Sequence, residues 1–242
     1  MFSPLLYRLS YLTNNFHIKK LIKFINFISI TYSKNNFNVK IVIATHNKDK
    51  FKELHHGLLS LNVKLISLYD FPEIGEIIED GKTLKDNALI KARTVHKITS
   101  LPAISDDTGL EVDALNGDPG VFTARYAGEG CTYLDNVNKM LKEMKNVPNQ
   151  NRGATFKTVM AYVDDNMELT SEGIVQGTVT RTKKGVAGFG YDPIFYVPDT
   201  GKTFAEMEIE EKNLVSHRSR AIKALRADLA TYFNASNIKE NA

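Results

Sequence analysis

The chain has 242 residues, 43% of them hydrophobic and 24% charged, a globular balance sufficient for a sizeable core in one large domain or two small ones. Its one cysteine, Cys131, excludes an intramolecular disulfide and a cysteine-built zinc site, and it fits a reducing, cytoplasmic setting better than secretion. The net charge is +3, but residues 1–38 carry Arg8, Lys19, Lys20, Lys23 and Lys34 with no acidic residue, so the rest holds 3 − 5 = −2 and no nucleic-acid partner is expected.

Residues 1–38 contain no glycine, and Ile18, Leu21, Ile22, Ile25 and Ile28 recur there at helical spacing around Lys19 and Lys23. Lysines interrupt the apolar tracts well short of the roughly 20 residues that a membrane span needs, so no stable membrane insertion is expected. Three readings fit this basic stretch: an organelle transit peptide, a membrane-surface or partner helix, or a non-essential extension.

From Val39 onward strands alternate with helices, which predicts a single α/β domain over residues 39–236. VKIVIA (39–44) reads as a buried strand and FKELHHGLL as a helix with Phe51, Leu54, Leu58 and Leu59 on one face. Further helices start at the capping boxes Thr83-Leu-Lys-Asp86 and Thr132-Tyr-Leu-Asp135. ATFKTVMAYV (154–163) and MELTSEGIVQGTVT (167–180) read as an antiparallel pair, DPIFYV (192–197) as another strand, and Ala221, Ile222, Leu225 and Leu229 as the apolar face of a last helix. The excess of strands predicts a mixed β-sheet with flanking helices.

Four stretches carry candidate chemistry. THNKDK (45–50) joins a strand to a helix, where free backbone N–H groups and the dipole favour an anion; lacking glycine, it is neither a P-loop nor a dinucleotide fingerprint. Thr45, Asn47, Lys48 and Lys50 offer donors to phosphate, although Asn47 could serve only as a helix cap. SDDTGL (105–110) sets two carboxylates side by side, and on a strand end they point to opposite faces, so one of them is the functional group. GFGYDPIF (188–195) places Phe189 between glycines, as a stacking face for a flat ligand or as a core aromatic in a turn. EEKNLVSHRSRA (210–221) crowds Lys212, His217 and Arg218 at a helix start, a pattern also common on solvated surface.

In this order the motifs, with DNALIKA (86–92), resemble the inosine/xanthosine triphosphate pyrophosphatase family over about Val39 to Phe233. The resemblance implies an elongated α/β fold with two lobes around a nucleotide cleft, a homodimer, and Mg2+-dependent hydrolysis of ITP, dITP and XTP to the monophosphate and pyrophosphate. Carried over by position, Thr45, His46, Asn47, Lys48, Asp49 and Lys50 would hold the triphosphate. Glu79 and Asp107 would bind the metal, with Asp107 also the general base and Asp106 an outer support or looser metal contact. Thr108 would touch substrate, Phe189, Gly190, Tyr191 and Asp192 would hold the base, and Lys212, His217 and Arg218 would complete the pocket. Relatives often carry glycine where His46 stands, and residues 1–38 have no counterpart in the family core. A pyrimidine-triphosphate pyrophosphatase and a non-catalytic nucleotide sensor are the rival readings.

Because residues 1–38 contribute none of these motifs, a chain beginning at Val39 should fold and turn over substrate like the full chain. Loss of soluble expression on truncation would show that the segment packs onto the core.

Overall fold

A computed structural model describes residues 39–61 and 63–240, so the reading of residues 1–38 lies outside the described residues. The strands are β1 (Lys40–Ile43), β2 (Lys64–Ser67), β3 (Ala103–Val112), β4 (Pro119–Gly120), β5 (Gly153–Val163), β6 (Glu168–Val179), β7 (Phe195–Val197) and β8 (Lys202–Thr203). They form one sheet in the order β2-β1-β3-β5-β6-β7-β8, with β4 paired to β3. β1 runs parallel to β2 and β3, and all other pairs are antiparallel, so the sheet is mixed.

The helices are α1 (Lys48–Leu58), α2 (Leu84–Thr99), α3 (Tyr133–Glu143), α4 (Ile209–Val215) and α5 (His217–Glu240). α2 and α3 start as their capping boxes require: Thr83 and Thr132 accept from Asp86 N and Asp135 N, and each aspartate carboxylate returns a bond to the cap backbone. Two expected boundaries differ. Asp192–Ile194 is a single 3-10 turn with Pro193 near its start, leaving only Phe195–Val197 extended. The last helix is divided, because Ser216 is extended and its Oγ caps α5 by accepting from Ser219 N.

β3, β5 and β6 run the length of two cores. Their one end packs Leu110, Phe156 and Val175 with α3 and the 191–207 segment. Their other end is covered on one face by α1 and α5, around Ile104, Met160, Leu54 and Leu225, and on the other by α2, around Ala103, Val159, Ala88 and Val95. These two core regions are the two lobes.

Between them the strands turn polar. Thr108 of β3 pairs with Thr158 of β5, which pairs with Gly173 of β6. A Cβ at Gly173 would lie 2.0 Å from His217 O and 2.4 Å from Ala221 N, so the first turn of α5 rests on the sheet where a side chain is missing. Both obstacles are backbone and cannot swing aside. Gly173→Ala should cost about 1–3 kcal/mol in urea unfolding through overpacking, and an unchanged midpoint would show that α5 is not seated there.

Candidate functional site

A cavity of about 300 Å3 opens at this polar seam. It is lined by Thr45, His46, Asn47 and Lys50, by Glu79, Asp107 and Thr108, by Phe189, Gly190, Tyr191 and Asp192, and by Lys212, His217 and Arg218. Lys48 and Asp49 do not line it. Asn47 caps α1, its Oδ1 accepting from Asp49 N (3.0 Å) and Lys50 N (3.1 Å), and the helical turn then carries Lys48 to the surface and brings Lys50 and Glu53 inward. That cap occupies two of the backbone donors expected to face an anion. The Asn47 amide also donates to Tyr133 Oη (2.7 Å), a lining residue of α3 without a signal in the motifs.

SDDTGL lies in the middle of β3 rather than at its end, and strand alternation sends its carboxylates to opposite faces. Asp106 points toward α1 and α5, with a side chain 0% exposed, and meets Lys50 Nζ at 3.2 Å and Arg218 Nη2 at 3.3 Å. It does not line the cavity. Burial opposes its charge, yet Lys50, Arg218 and Lys91 outweigh burial and hold its pKa far below the ordinary carboxylate range.

Asp107 points toward α2. Its Oδ1 accepts from Lys91 Nζ at 3.0 Å, while Lys91 also pairs with Glu79 Oε2 at 2.6 Å. Its Oδ2 takes only a 3.4 Å contact from Asn87 Nδ2. Burial works against the charge of Lys91, but Asp107, Glu79 and Asp106 together raise its pKa. DNALIKA contains Asn87 and Lys91, but their roles are hidden in the sequence, because they interleave with Leu84, Ala88, Ala92 and Val95 on a helix face that reads as apolar. Two polar residues four apart inside that stripe were the available signal.

Glu53, on the helix that follows THNKDK, is a further residue whose role the sequence does not announce. Its carboxylate accepts from Arg218 Nη1 at 2.5 Å and Lys212 Nζ at 3.2 Å, and Lys212 also pairs with Asp192 Oδ2 at 2.7 Å. Burial raises the Glu53 pKa, but Arg218 and Lys212 outweigh it and leave it lowered. For Asp192 burial prevails over Lys212, and its pKa is raised. Asp192 Oδ2 also accepts from Phe189 N at 2.8 Å, fixing a turn in which Gly188 has φ +72° and a Cβ there would strike that carboxylate at 2.0 Å.

Phe189 is not an isolated stacking face. Its ring centroid lies 5.7 Å from that of Tyr133 and 5.0 Å from Lys212 Nζ. His217 stacks on Phe156 (4.4 Å between centroids, 12° between planes), and its buried Nδ1 has no hydrogen-bond partner among the described residues. The arrangement can hold a phosphorylated ligand with a flat ring: cations and hydroxyls at Thr45 to Lys50, paired carboxylates at Glu79 and Asp107, aromatic and guanidinium groups beyond.

These features define an α/β fold with a phosphate-and-ring cleft. Residues 41–228 match the Ham1 family, and the chain belongs to that family. It is 44% identical over 191 residues to the dITP/XTP pyrophosphatase of Geobacter sulfurreducens, covering 78% of this chain and 96% of that protein. The dITP/XTP pyrophosphatase of Escherichia coli strain K12 is 44% identical over 189 residues, covering 77% and 95%. Among solved structures, a HAM1 protein from Coxiella burnetii superposes with a TM-score of 0.74 at 40% identity, covering 80% of this chain and 99% of that one.

His217 generates a pH prediction. Burial first, then Arg218 and Lys212, hold its pKa well below the ordinary 6.5, against a smaller opposing effect of Asp106. Below about pH 6.5 the unfolded chain takes up a proton here that the folded chain refuses, so stability falls with pH by up to about 1.4 kcal/mol per unit. His217→Gln should flatten that slope in urea unfolding between about pH 7 and about pH 5.5. Parallel slopes in the two proteins would show that His217 accepts its proton while folded.

Proposed function

We propose that this chain hydrolyses nonstandard purine nucleoside triphosphates, ITP, dITP and XTP, to the monophosphate and pyrophosphate. One observation carries the reading: a single cavity joins the Asp107–Lys91–Glu79 cluster to Lys50 at one side and to Arg218, His217 and Phe189 at the other. The match to proteins named for that activity over nearly their whole length supports it.

In the proposed reaction the Oδ2 of Asp107 accepts the proton of a water that attacks the α-phosphorus. The new P–O bond forms as the bond to pyrophosphate breaks. Lys91 holds Oδ1 at 3.0 Å and fixes the carboxylate plane, while Oδ2 takes only the 3.4 Å contact from Asn87 and is the oxygen left to accept a proton. Lys50 and Lys212 stabilise charge on phosphate oxygens.

The cluster suits a hard dication. Two carboxylates share one lysine, a formal charge of −2 + 1 = −1. Among the described residues no group of three or more His, Cys, Asp or Glu is disposed around a metal position. The protein would therefore supply Glu79 and Asp107, with phosphate oxygens and water completing the set, the habit of Mg2+ rather than of a closed structural site. Mg2+ held there would neutralise the triphosphate and favour pyrophosphate as leaving group.

Base choice is assigned to Arg218. Of its five N–H groups four are engaged among the described residues, two on Asp106 and one each on Glu53 and Thr108, leaving 5 − 4 = 1 on Nη1. One donor can satisfy the carbonyl at purine position 6 of hypoxanthine or xanthine. Adenine presents an amino group there, and two donors facing each other cost about 1–3 kcal/mol. Phe189 stacks any purine and supplies affinity without choice. The proposal extends to a catalytic domain over residues 39–236, a homodimer and a cytoplasmic setting. Among the described residues no helix is long and apolar enough to cross a membrane.

Pyrophosphate release from ITP, dITP, XTP, ATP and GTP with Mg2+ tests the reading, and equal rates on all five would sink it. Asp107→Asn should lower turnover by a factor on the order of 10² or more with much less change in affinity. Arg218→Ala should narrow the ITP/ATP ratio of kcat/KM, whereas Phe189→Ala should weaken both substrates alike. A ratio untouched by Arg218→Ala would take this arginine out of base selection.

A further inference from the structure

We propose that a second cavity, about 440 Å3 between α1 and α5, is a separate binding site for a small phosphoanion. His56 and Ser60 line it from the α1 side, Asn213 from α4, and Lys223 and Arg226 from α5, with Glu53 and Arg218 at its inner wall. Arg218 also lines the first cavity, so the Glu53–Arg218 pair is the partition between the two.

The charge of the lining points to an anion. Lys223, Arg226 and Arg218 against Glu53 give 3 − 1 = +2, before any charge on His56. Around the first cavity, Lys50, Lys91, Lys212 and Arg218 each meet a carboxylate within 4 Å. Among the described residues Lys223 and Arg226 meet none, and Arg226 Nη1 donates to Ser60 Oγ at 3.1 Å. Three residues apart on one helix, they repel each other across the mouth of a concavity. A ligand with several oxygens and at least two negative charges relieves that repulsion and takes a planar guanidinium and an ammonium together, which is phosphate chemistry. The volume admits pyrophosphate or the phosphate end of a nucleoside monophosphate.

Occupancy has a consequence for the first cavity. An anion against the partition competes with Glu53 and Asp106 for Arg218, so phosphoanions should inhibit from outside the cleft.

The test titrates inorganic pyrophosphate, inosine monophosphate and inorganic phosphate, in separate arms, into the full chain and into Lys223→Gln/Arg226→Gln in metal-free buffer. Neither residue belongs to the catalytic or base-binding machinery, and an unchanged kcat/KM for ITP in the double variant verifies its fold. The expected result is a second site per chain in the wild type that weakens by about tenfold or more in the variant. The arm that shows this site identifies the source of the phosphate. With ITP as substrate, pyrophosphate should show an inhibition that raising ITP does not relieve, absent from the double variant. Equal stoichiometry and affinity in both proteins, inhibition wholly relieved by ITP, or a lost affinity for duplex DNA in place of pyrophosphate would each overturn the proposal. If ITP is not hydrolysed, the proposed function fails, folding is verified by urea unfolding, and the titration still reads the second site.

Discussion

A carboxylate with no exposure to water, Asp106, sets the terms for the rest of this molecule. Removing such an ion from water costs several kcal/mol, which only close cations in good geometry offset. Here they come from two helices distant in sequence, Lys50 on α1 and Arg218 on α5. Arg218 then draws in Glu53, Glu53 draws in Lys212, and Lys212 holds Asp192, which fixes the turn that presents Phe189. α1, β3, α4, α5 and the 189–192 turn are thereby registered to one another by a chain of charges. Such a network adds little net stability, since apolar residues of equal volume would pack as well. What it supplies is placement.

The alternation of β3 divides the ionisable groups into two networks of different character. On one face Asp106, Glu53 and Asp192 stand against Lys50, Arg218 and Lys212, a formal sum of −3 + 3 = 0. That set is closed and mostly sealed from water. On the other face Glu79 and Asp107 stand against Lys91 alone, a sum of −1, and Glu79 remains 31% exposed. The surplus negative charge thus faces the cavity, where, under the proposed function, a metal-bound triphosphate would bring the compensating cation. A single-residue step along the strand separates a carboxylate sealed from water from one that lines the cavity.

Much of this was legible in the sequence where the determinants are local. The Thr83 and Thr132 capping boxes mark two helix starts because their partners lie three residues away, and the β5–β6 hairpin follows from two long β-rich segments flanking Asp164-Asp165-Asn166. The motifs named much of the cavity lining for the same reason: each is a short run of neighbouring residues. The roles of Lys91 and Glu53 were not legible, because what makes them matter is a partner across the fold, 16 residues away for Asp107 and 165 for Arg218. Lys48 and Asp49 illustrate the converse. They sit in a motif, but the cap at Asn47 fixes the helical phase, and that phase turns them away from the cavity. The break at Ser216 was hidden as well, since EEKNLVSHRSRA has no proline or glycine to announce that Lys212 and Arg218 belong to different helices.

The seam between the two cores explains why selection and chemistry can be linked without a long-range pathway. Thr108, which accepts from Arg218 Nη2 at 3.0 Å, is the residue next to Asp107, and both lie on the segment of β3 where one core gives way to the other. Under the proposed reaction, a base that Arg218 cannot satisfy leaves a buried donor unpaired and displaces the nucleotide toward the open side. The α-phosphorus then moves relative to Asp107 Oδ2, which β3, Lys91 and Asn87 hold in place. Attack by a positioned water is steep in distance, with misplacement by about 1 Å costing on the order of 10²-fold. A mismatch worth only a few kcal/mol at the base therefore reappears as lost turnover as well as lost affinity, and discrimination among purines falls on kcat together with KM.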